Sequence, residues 1–233
     1  MSSQFELSHD YVPVSQRGVD TRAAFITRTY NHLMAAIVAF TLLEVWLFTS
    51  GLAAPIAGAM LSGSWLLVLG GFMIVSWIAT RTAHTSQSLA SQYAALAAIV
   101  VAYAILFVPM LYVADQVAPG AIQSAAVVTL LGFAGLTAVA FTTRKDFSFL
   151  GGMLRWIGVL AIVAIVTSVL FGFELGTWFS VGMVAFAGAA ILYDTSNVLH
   201  HFPEGRYVAG ALQLFASVAL MFWYVLRLFM SRD

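Results

Sequence analysis

Residues 188–201 read GAAILYDTSNVLHH and place a single aspartate, Asp194, near the end of a long apolar run. The nearest Asp, Glu, Lys or Arg residues on either side are Glu174 and Glu204. A run of this kind is long enough to cross a bilayer as an α-helix, which takes roughly 20 apolar residues. An ionised group at mid-bilayer costs at least about 2.5 kcal/mol on insertion scales, so Asp194 is a functional candidate.

The rest of the chain has the same character as this run. Of its 233 residues, 61% are hydrophobic and 9% are charged, with a mean hydropathy of +0.94. Soluble domains have about 25% charged residues, so the composition indicates an integral membrane protein. The formal net charge of zero gives no sign of a nucleic-acid partner. The absence of cysteine excludes disulfides, thiolate metal sites and cysteine nucleophiles.

Charged residues divide the sequence into seven continuously apolar segments without the alternation of a β-barrel. We therefore predict an all-α polytopic protein with a single transmembrane domain over residues 29–233. Residues 1–28 are polar and mixed in charge, and are expected to form a short cytoplasmic tail with no cleavable signal peptide. The predicted spans cover about 30–50, 64–80, 88–113, 121–142, 150–172, 176–198 and 207–229.

The distribution of lysine and arginine predicts the orientation of these spans. With seven spans, Arg227 and Arg232 are the only Lys or Arg residues on the side of the membrane that holds the carboxyl terminus. Cytoplasmic loops carry an excess of basic residues, so the amino terminus is expected in the cytoplasm and the carboxyl terminus outside. The basic residues on the amino-terminal side are Arg17, Arg22, Arg28, Arg81, Arg144, Lys145, Arg155 and Arg206.

Polar side chains within the spans form the candidate site. Asp194 and Asn197 share one side of the sixth span, and the seventh span has a polar stripe at spacings of four and seven residues. If these spans are antiparallel around the turn HHFPEGR, residues 200–206, Asp194 meets Ser217 when the helices are offset by about one turn. The primary candidates are Asp194 and Ser217; the secondary ones are Glu44, Asn197, Gln213 and Tyr224.

An enzymatic function is not favoured by the sequence. Tyr193-Asp194 matches one half of the motif pair of intramembrane aspartyl proteases, but the second motif, Gly-x-Gly-Asp, does not occur. No histidine is placed deep in a span beside a nucleophile. The adjacent His200 and His201 point about 100° apart on a helix and chelate a metal poorly. We therefore predict no catalytic residue, no metal site and no cofactor.

Two stretches of the chain carry a family resemblance. GAAILYDTSNVLHH, followed by VAGALQLFASVALMFWYVLRLF at 208–229, resembles the signature of the Bax inhibitor-1 family of seven-helix membrane proteins. The loop TTRKDFSFLGGML, residues 142–154, resembles the bacterial YccA-like branch, as does the ending SRD. The resemblance implies a bundle in which six helices surround a central seventh. It also marks the loop motif Arg144, Lys145 and Asp146.

The resemblance also implies roles for residues of the sixth and seventh spans. In the calcium-leak members of the family, carboxylates on these two helices share a proton and form a pH-dependent latch, because close like charges do not both ionise easily. Asp194 matches the first carboxylate, whereas Ser217 falls at the position of the second. A serine can donate a hydrogen bond but cannot share an anionic charge. The two-carboxylate latch is therefore not available to this sequence.

Two functions are implied by the family. The YccA-like branch implies a multi-pass protein of the bacterial inner membrane that binds and restrains the FtsH protease, with the polar tail as the segment that the protease grips. The alternative is a pH-sensitive leak of cations, calcium in relatives, that uses Asp194 and Glu44. The expected partners are membrane lipid and FtsH, and calcium or protons under the alternative.

Overall fold

The computed structural model describes residues 12–231, and within that range the protein is built from α-helices. Seven helices are long and apolar enough to cross a membrane. No strand occurs in the described range beyond an isolated antiparallel bridge between Pro13 and Pro203. The prediction of an all-α, seven-span membrane protein is confirmed. The helices are α1 Val19–Thr49, α2 Ala53–Ser62, α3 Trp65–Thr85, α4 Leu89–Val117, α5 Ala121–Thr143, α6 Leu150–Phe171, α7 Gly176–His200 and α8 Tyr207–Met230.

The first span begins earlier than the sequence predicts. The prediction started it near residue 30, but α1 begins at Val19, so part of the expected tail is helical. Phe25 and Thr29 are buried because α8 lies close to this end of α1. At Gly210 of α8, an added Cβ would lie 3.1 Å from Thr29 Cγ2. Packing against α8 therefore continues α1 beyond its apolar segment, and residues 1–11 lie outside the described range.

A short helix, α2, occupies the segment 50–64 that the sequence predicts as a turn. Gly51 has φ +76° and reverses the chain after α1 in a conformation that glycine adopts easily. Pro55 lies in the first turn of α2, where a missing N–H is tolerated. Ala53 and Ala57 are buried in a cluster with Leu47 and Val108. Because α2 has only 10 residues, it covers this end of the bundle without crossing it.

The seventh span, α8, is the most enclosed of the seven spans. In the most apolar stretch of 18 residues in this span, 72% is buried inside the protein, whereas only 6% of the corresponding stretch of α6 is buried. It packs against α1, α3, α4, α5 and α7, whereas α6 packs mainly on α7. These contacts agree with the central position that the family resemblance implies for this helix.

One end of the bundle, called here the amino-terminal face, gathers the start of α1 and three interhelical connections. The backbone N–H of Phe147, after α5, donates to Ser196 Oγ at 2.9 Å. The Arg206 guanidinium, between α7 and α8, donates to the carbonyl of Ser86 after α3. Around the bundle, large apolar side chains face outward, including Trp156 and Trp178, which are 75% and 87% exposed. Such a surface is suited to lipid.

Candidate functional site between α7 and α8

Asp194 is the centre of a buried hydrogen-bonded site. Its side chain is only 5% exposed. Ser217 Oγ donates to Asp194 Oδ2, and Gln213 Nε2 donates to Asp194 Oδ1. Both donors come from α8 and both are neutral. The predicted pairing of Asp194 with Ser217 therefore occurs in the structure, and Gln213, expected only as a secondary candidate, completes it.

Helix geometry explains how these three residues meet. The helices α7 and α8 are joined by a short turn, and Asp194 and Gln213 each lie six residues from it, at similar depth. Ser217 lies one turn further from the amino-terminal face. Cα–Cβ bonds tilt toward the start of their own helix, so Asp194 leans away from that face and Ser217 leans toward it. The two side chains converge although their backbones are offset.

A cavity of about 360 Å³ lies beside Asp194 and is lined from α4, α6, α7 and α8. Tyr193 and Arg155 contribute to its wall, and Arg155 is exposed. Gly151 allows α6 to approach α7 at this point, since an added Cβ would lie 2.8 Å from the Tyr193 ring. Asp194 thus borders a space that reaches the surface of the bundle, while both of its oxygens are bound to α8.

Two further predicted residues lie apart from Asp194. The Asn197 carbonyl ends α7 by accepting from the backbone N–H groups of His201 and Phe202. Tyr224 is buried two turns beyond Ser217 and packs edge-on to Phe179, with ring centroids 6.0 Å apart. The polar stripe predicted on α8 therefore contributes Gln213 and Ser217 to the site, but Tyr224 belongs to an aromatic contact near the start of α7.

Glu44 lies in a second pocket, between α1, α4, α5 and α8. It is 7% exposed, and neither carboxylate oxygen has a hydrogen-bond partner. The pocket has a volume of about 250 Å³. The two carboxylates predicted within the spans are therefore both buried, and the structure places them in separate sites.

The loop motif at residues 144–146 contacts the end of α7. Asp146 Oδ2 lies 3.0 Å from His201 Nε2, and Ser196 Oγ donates to Asp146 Oδ1 at 3.4 Å. Arg144 ends α5 in the left-handed conformation with φ +52°. Its side chain and that of Lys145 are exposed. The family resemblance marks this loop as a motif, but it does not predict the contact with α7.

The electrostatics of Asp146 favour its charged form. Partial burial alone would raise the pKa of this carboxyl. Hydrogen bonds from the backbone and side chain of Ser148 and from His201, together with the attraction of a protonated His201, outweigh burial and lower the pKa below its ordinary value of 3.8. Asp146 is therefore a stable anion that holds the loop against His201 at neutral pH.

A segment before α1, residues 13–17, crosses the turn between α7 and α8, and we call it the amino-terminal strap. The backbone N–H of Val14 donates to the Phe202 carbonyl at 2.8 Å, and Ser15 Oγ donates to the His200 carbonyl at 2.7 Å. The Val14 side chain is fully buried. The sequence prediction missed this contact, and the only signal was an apolar pair, Val12 and Val14, beside Pro13.

The described part of the chain contains no group of three or more His, Asp or Glu side chains that could hold a metal ion. Since Asp194 has two neutral partners and no histidine beside it, the site offers a buried acceptor rather than a nucleophile with its base. Chemically, the arrangement fastens α7 to α8.

Comparison with known proteins places the chain in a family. The model of the family described as "Inhibitor of apoptosis-promoting Bax1" matches residues 22–233, almost the whole chain. The chain belongs to this family. The range that the family model matches includes Asp194 and its partners Gln213 and Ser217. The family resemblance predicted from the sequence is confirmed.

Individual relatives include bacterial and eukaryotic proteins. An uncharacterized protein of Pseudomonas aeruginosa is 30% identical over 82% of this Bax1-inhibitor family chain and 86% of its own length. "Modulator of FtsH protease YccA" of Escherichia coli is 34% identical over 45% of this chain and 49% of its own. "Bax inhibitor 1" of Schizosaccharomyces pombe is 31% identical over 46% and 41%. The alignments with these two named proteins span about half of each or less.

Proposed function

We propose that this protein binds and modulates an FtsH membrane protease in the bacterial inner membrane, without catalysis of its own. The similarity to the Escherichia coli modulator of FtsH protease supports this role. The observation that carries it is that Asp194 accepts hydrogen bonds from two neutral donors, Ser217 and Gln213, and faces no second carboxylate in the described structure. A two-carboxylate proton latch therefore has no counterpart here.

The amino-terminal strap supports a way in which such binding would work. In this proposal the amino-terminal face lies in the cytoplasm, as the distribution of basic residues predicts. A protease that grips residues 1–11 would pull on Val14 and Ser15, which are bonded to the turn between α7 and α8. The pull would meet a helix pair fastened by Asp194. The protein would thus engage the protease and resist extraction.

Co-purification with a proteolytically inactive FtsH tests the proposal most simply. The intact protein should be retained by FtsH and should slow the degradation of a second membrane substrate. A variant lacking residues 2–11 should lose both effects, and a Gly/Ser segment of the same length should restore them if only an extended end is needed. Absence of retention by the intact protein, with no change in degradation of the second substrate, would refute the proposal.

The strap can be tested separately from the bundle. Val14→Asp places a charge in a fully buried position and should release the strap, so turnover of the protein by FtsH should increase. Val19→Asp is the matched control because Val19 is 84% exposed at the start of α1. Equal turnover of the two variants would show that the strap does not restrain extraction.

A pH-sensitive cation leak is the alternative function. The cavity beside Asp194 favours it, as does the similarity to the Schizosaccharomyces pombe Bax inhibitor 1. Calcium flux into proteoliposomes over pH 6–8 distinguishes the two functions. The proposal predicts no flux from the intact protein, whereas the leak predicts flux that Asp194→Asn abolishes. Ser217→Asp supplies the second carboxylate and is the variant expected to gain a pH response if the bundle can conduct.

A further inference from the structure

The pocket around Glu44 combines a buried acid with apolar walls. Its lining includes Ile37, Phe40, Leu111, Phe215 and Phe222, so nearly all of its surface is hydrocarbon or aromatic. Glu44 is only 7% exposed, and both of its carboxylate oxygens lack a hydrogen-bond partner. Burial of an ionised carboxylate without a partner is strongly unfavourable.

A second polar group that lines the same pocket is also unsatisfied. Thr129, on α5, is 2% exposed, and its hydroxyl has no partner. Thr41, on α1, donates its own hydroxyl to the Ile37 carbonyl one turn earlier. The pocket therefore offers three unbonded oxygen atoms, two from Glu44 and one from Thr129, in a surface that is otherwise apolar. Each of these oxygen atoms can accept a hydrogen bond, and none receives one from the described polypeptide.

We propose that this pocket binds a small amphipathic amine, with its ammonium group against Glu44 and Thr129 and its apolar body along the phenyl rings. This site is independent of the proposed interaction with FtsH. An ammonium group supplies the positive charge and the three N–H donors that match the three free oxygens. The faces of Phe40, Phe215 and Phe222 also attract a cation.

Other occupants fit these residues less well. Calcium takes six to eight oxygen ligands, and the described pocket offers few side-chain oxygens. An acyl chain would fill the apolar part but would leave Glu44 and Thr129 without partners, at a cost for each. The volume of about 250 Å³ lies just below the roughly 300–1,000 Å³ of pockets for drug-sized ligands, so the amine is small.

The route to the pocket lies on the lipid-facing side of the bundle. Thr41 and Val45 on α1, and Leu130 on α5, belong to its lining and are exposed. Val45 is 53% exposed and Leu130 is 43% exposed. An opening between α1 and α5 thus leads outward among apolar side chains. A ligand that partitions into the bilayer before it binds would enter by this route.

The probe for the test is 4-fluorophenethylamine, with binding to the detergent-solubilised protein followed by ¹⁹F NMR. The neutral control of the same shape is 2-(4-fluorophenyl)ethanol. We expect saturable binding of the amine, and at least about tenfold weaker binding of the alcohol, since the alcohol lacks the positive charge that strengthens a hydrogen bond to Glu44. Equal affinity for amine and alcohol would overturn the proposal and indicate a merely apolar pocket.

Three variants locate the bound amine. Glu44→Gln keeps the shape and should weaken binding by about tenfold or more. Glu174→Gln removes the same charge from an exposed position between α6 and α7 and should leave binding unchanged. Ala126→Phe keeps the carboxylate but fills the pocket, so it should also weaken binding. Thermal unfolding of each variant identifies any loss of fold.

Two results would contradict the site. Unchanged affinity in Glu44→Gln, or in a folded Ala126→Phe, would place the amine elsewhere on the protein. Equal weakening by Glu174→Gln and Glu44→Gln would reduce the interaction to general attraction between charges. Either result would overturn the proposal.

Discussion

The two carboxylates inside the spans, Asp194 and Glu44, are buried to nearly the same extent but have opposite surroundings. They are 5% and 7% exposed. Both oxygens of Asp194 accept hydrogen bonds from neutral donors on α8, whereas both oxygens of Glu44 are without a partner. Burial alone therefore does not distinguish their roles. We propose that the partners do: the satisfied acid, Asp194, would join two helices, and the unsatisfied acid, Glu44, would receive a ligand.

Substitution of Asp194 is expected to change the free energy of unfolding most, and it tests the contrast between the two carboxylates. Asp194→Leu leaves the Ser217 hydroxyl and the Gln213 amide buried without their acceptor. Each orphaned donor costs roughly 1–3 kcal/mol, so the free energy of unfolding should fall by roughly 2–6 kcal/mol. Steric-trap unfolding in bicelles measures this change. A loss of less than about 1 kcal/mol would show that the two hydrogen bonds do not hold α7 to α8.

Glu44→Leu should have the opposite sign. It replaces an unpartnered buried carboxylate by an apolar side chain of similar size, so it should raise the free energy of unfolding by roughly 1–3 kcal/mol. The same unfolding assay, without added amine, measures the change. Destabilisation to the extent seen at Asp194 would mean that Glu44 has a structural partner, and the contrast between the two acids would fail.

Two buried serines provide a smaller version of the same comparison. Ser217 donates to Asp194, whereas the Ser180 hydroxyl, at 1% exposure, has no partner. Ser217→Ala should cost about 1.5–3 kcal/mol, the range for hydrogen bonds to charged groups, and Ser180→Ala should be neutral or slightly stabilising. Parallel thermal unfolding of the two variants measures the difference. Equal losses would reflect a general intolerance of alanine in the bundle.

The smallest effect is expected at the loop between α5 and α6. The lowered pKa of Asp146 means that its contacts stabilise the fold above about pH 4 and that this contribution is lost as the pH falls through its pKa. The pair with His201 is close to half exposed, at 46% and 47%, so Asp146→Asn should cost less than about 1 kcal/mol at pH 7. The difference in stability between Asp146→Asn and the unsubstituted protein should shrink as the pH falls below about 4, which thermal unfolding across pH can measure.

Hydropathy predicted the starts of α3 to α8 within one residue, because apolar runs and their charged ends follow the boundaries of membrane-spanning helices. It misplaced the start of α1, where Arg22 and Arg28 end the apolar run but the helix continues against α8. It also missed α2, which has only 10 residues and is too short to register as a span. Both errors concern helices whose extent is set by tertiary contacts.

The site was predictable in its residue types and less so in its geometry. The spacing of Gln213 and Ser217 predicted one polar stripe on α8, and the position of Asp194 predicted its importance. The offset between α7 and α8 depends on how the two helices pack. They approach closely at Gly210, where a Cβ added to the glycine would lie 3.2 Å from Val198 Cγ2. The contact between Asp146 and His201 joins residues far apart in sequence, so no local pattern shows it.

A double-mutant cycle of Asp194→Leu with Ser217→Ala tests most directly whether Asp194 is the acceptor that joins α7 to α8. Free energies of unfolding of the four proteins give the coupling between the two residues. We predict that Ser217→Ala destabilises the natural protein but has no cost, or a small gain, in the Asp194→Leu background, where the hydroxyl is already orphaned. An equal cost in both backgrounds would contradict the account, since the two side chains would then act independently.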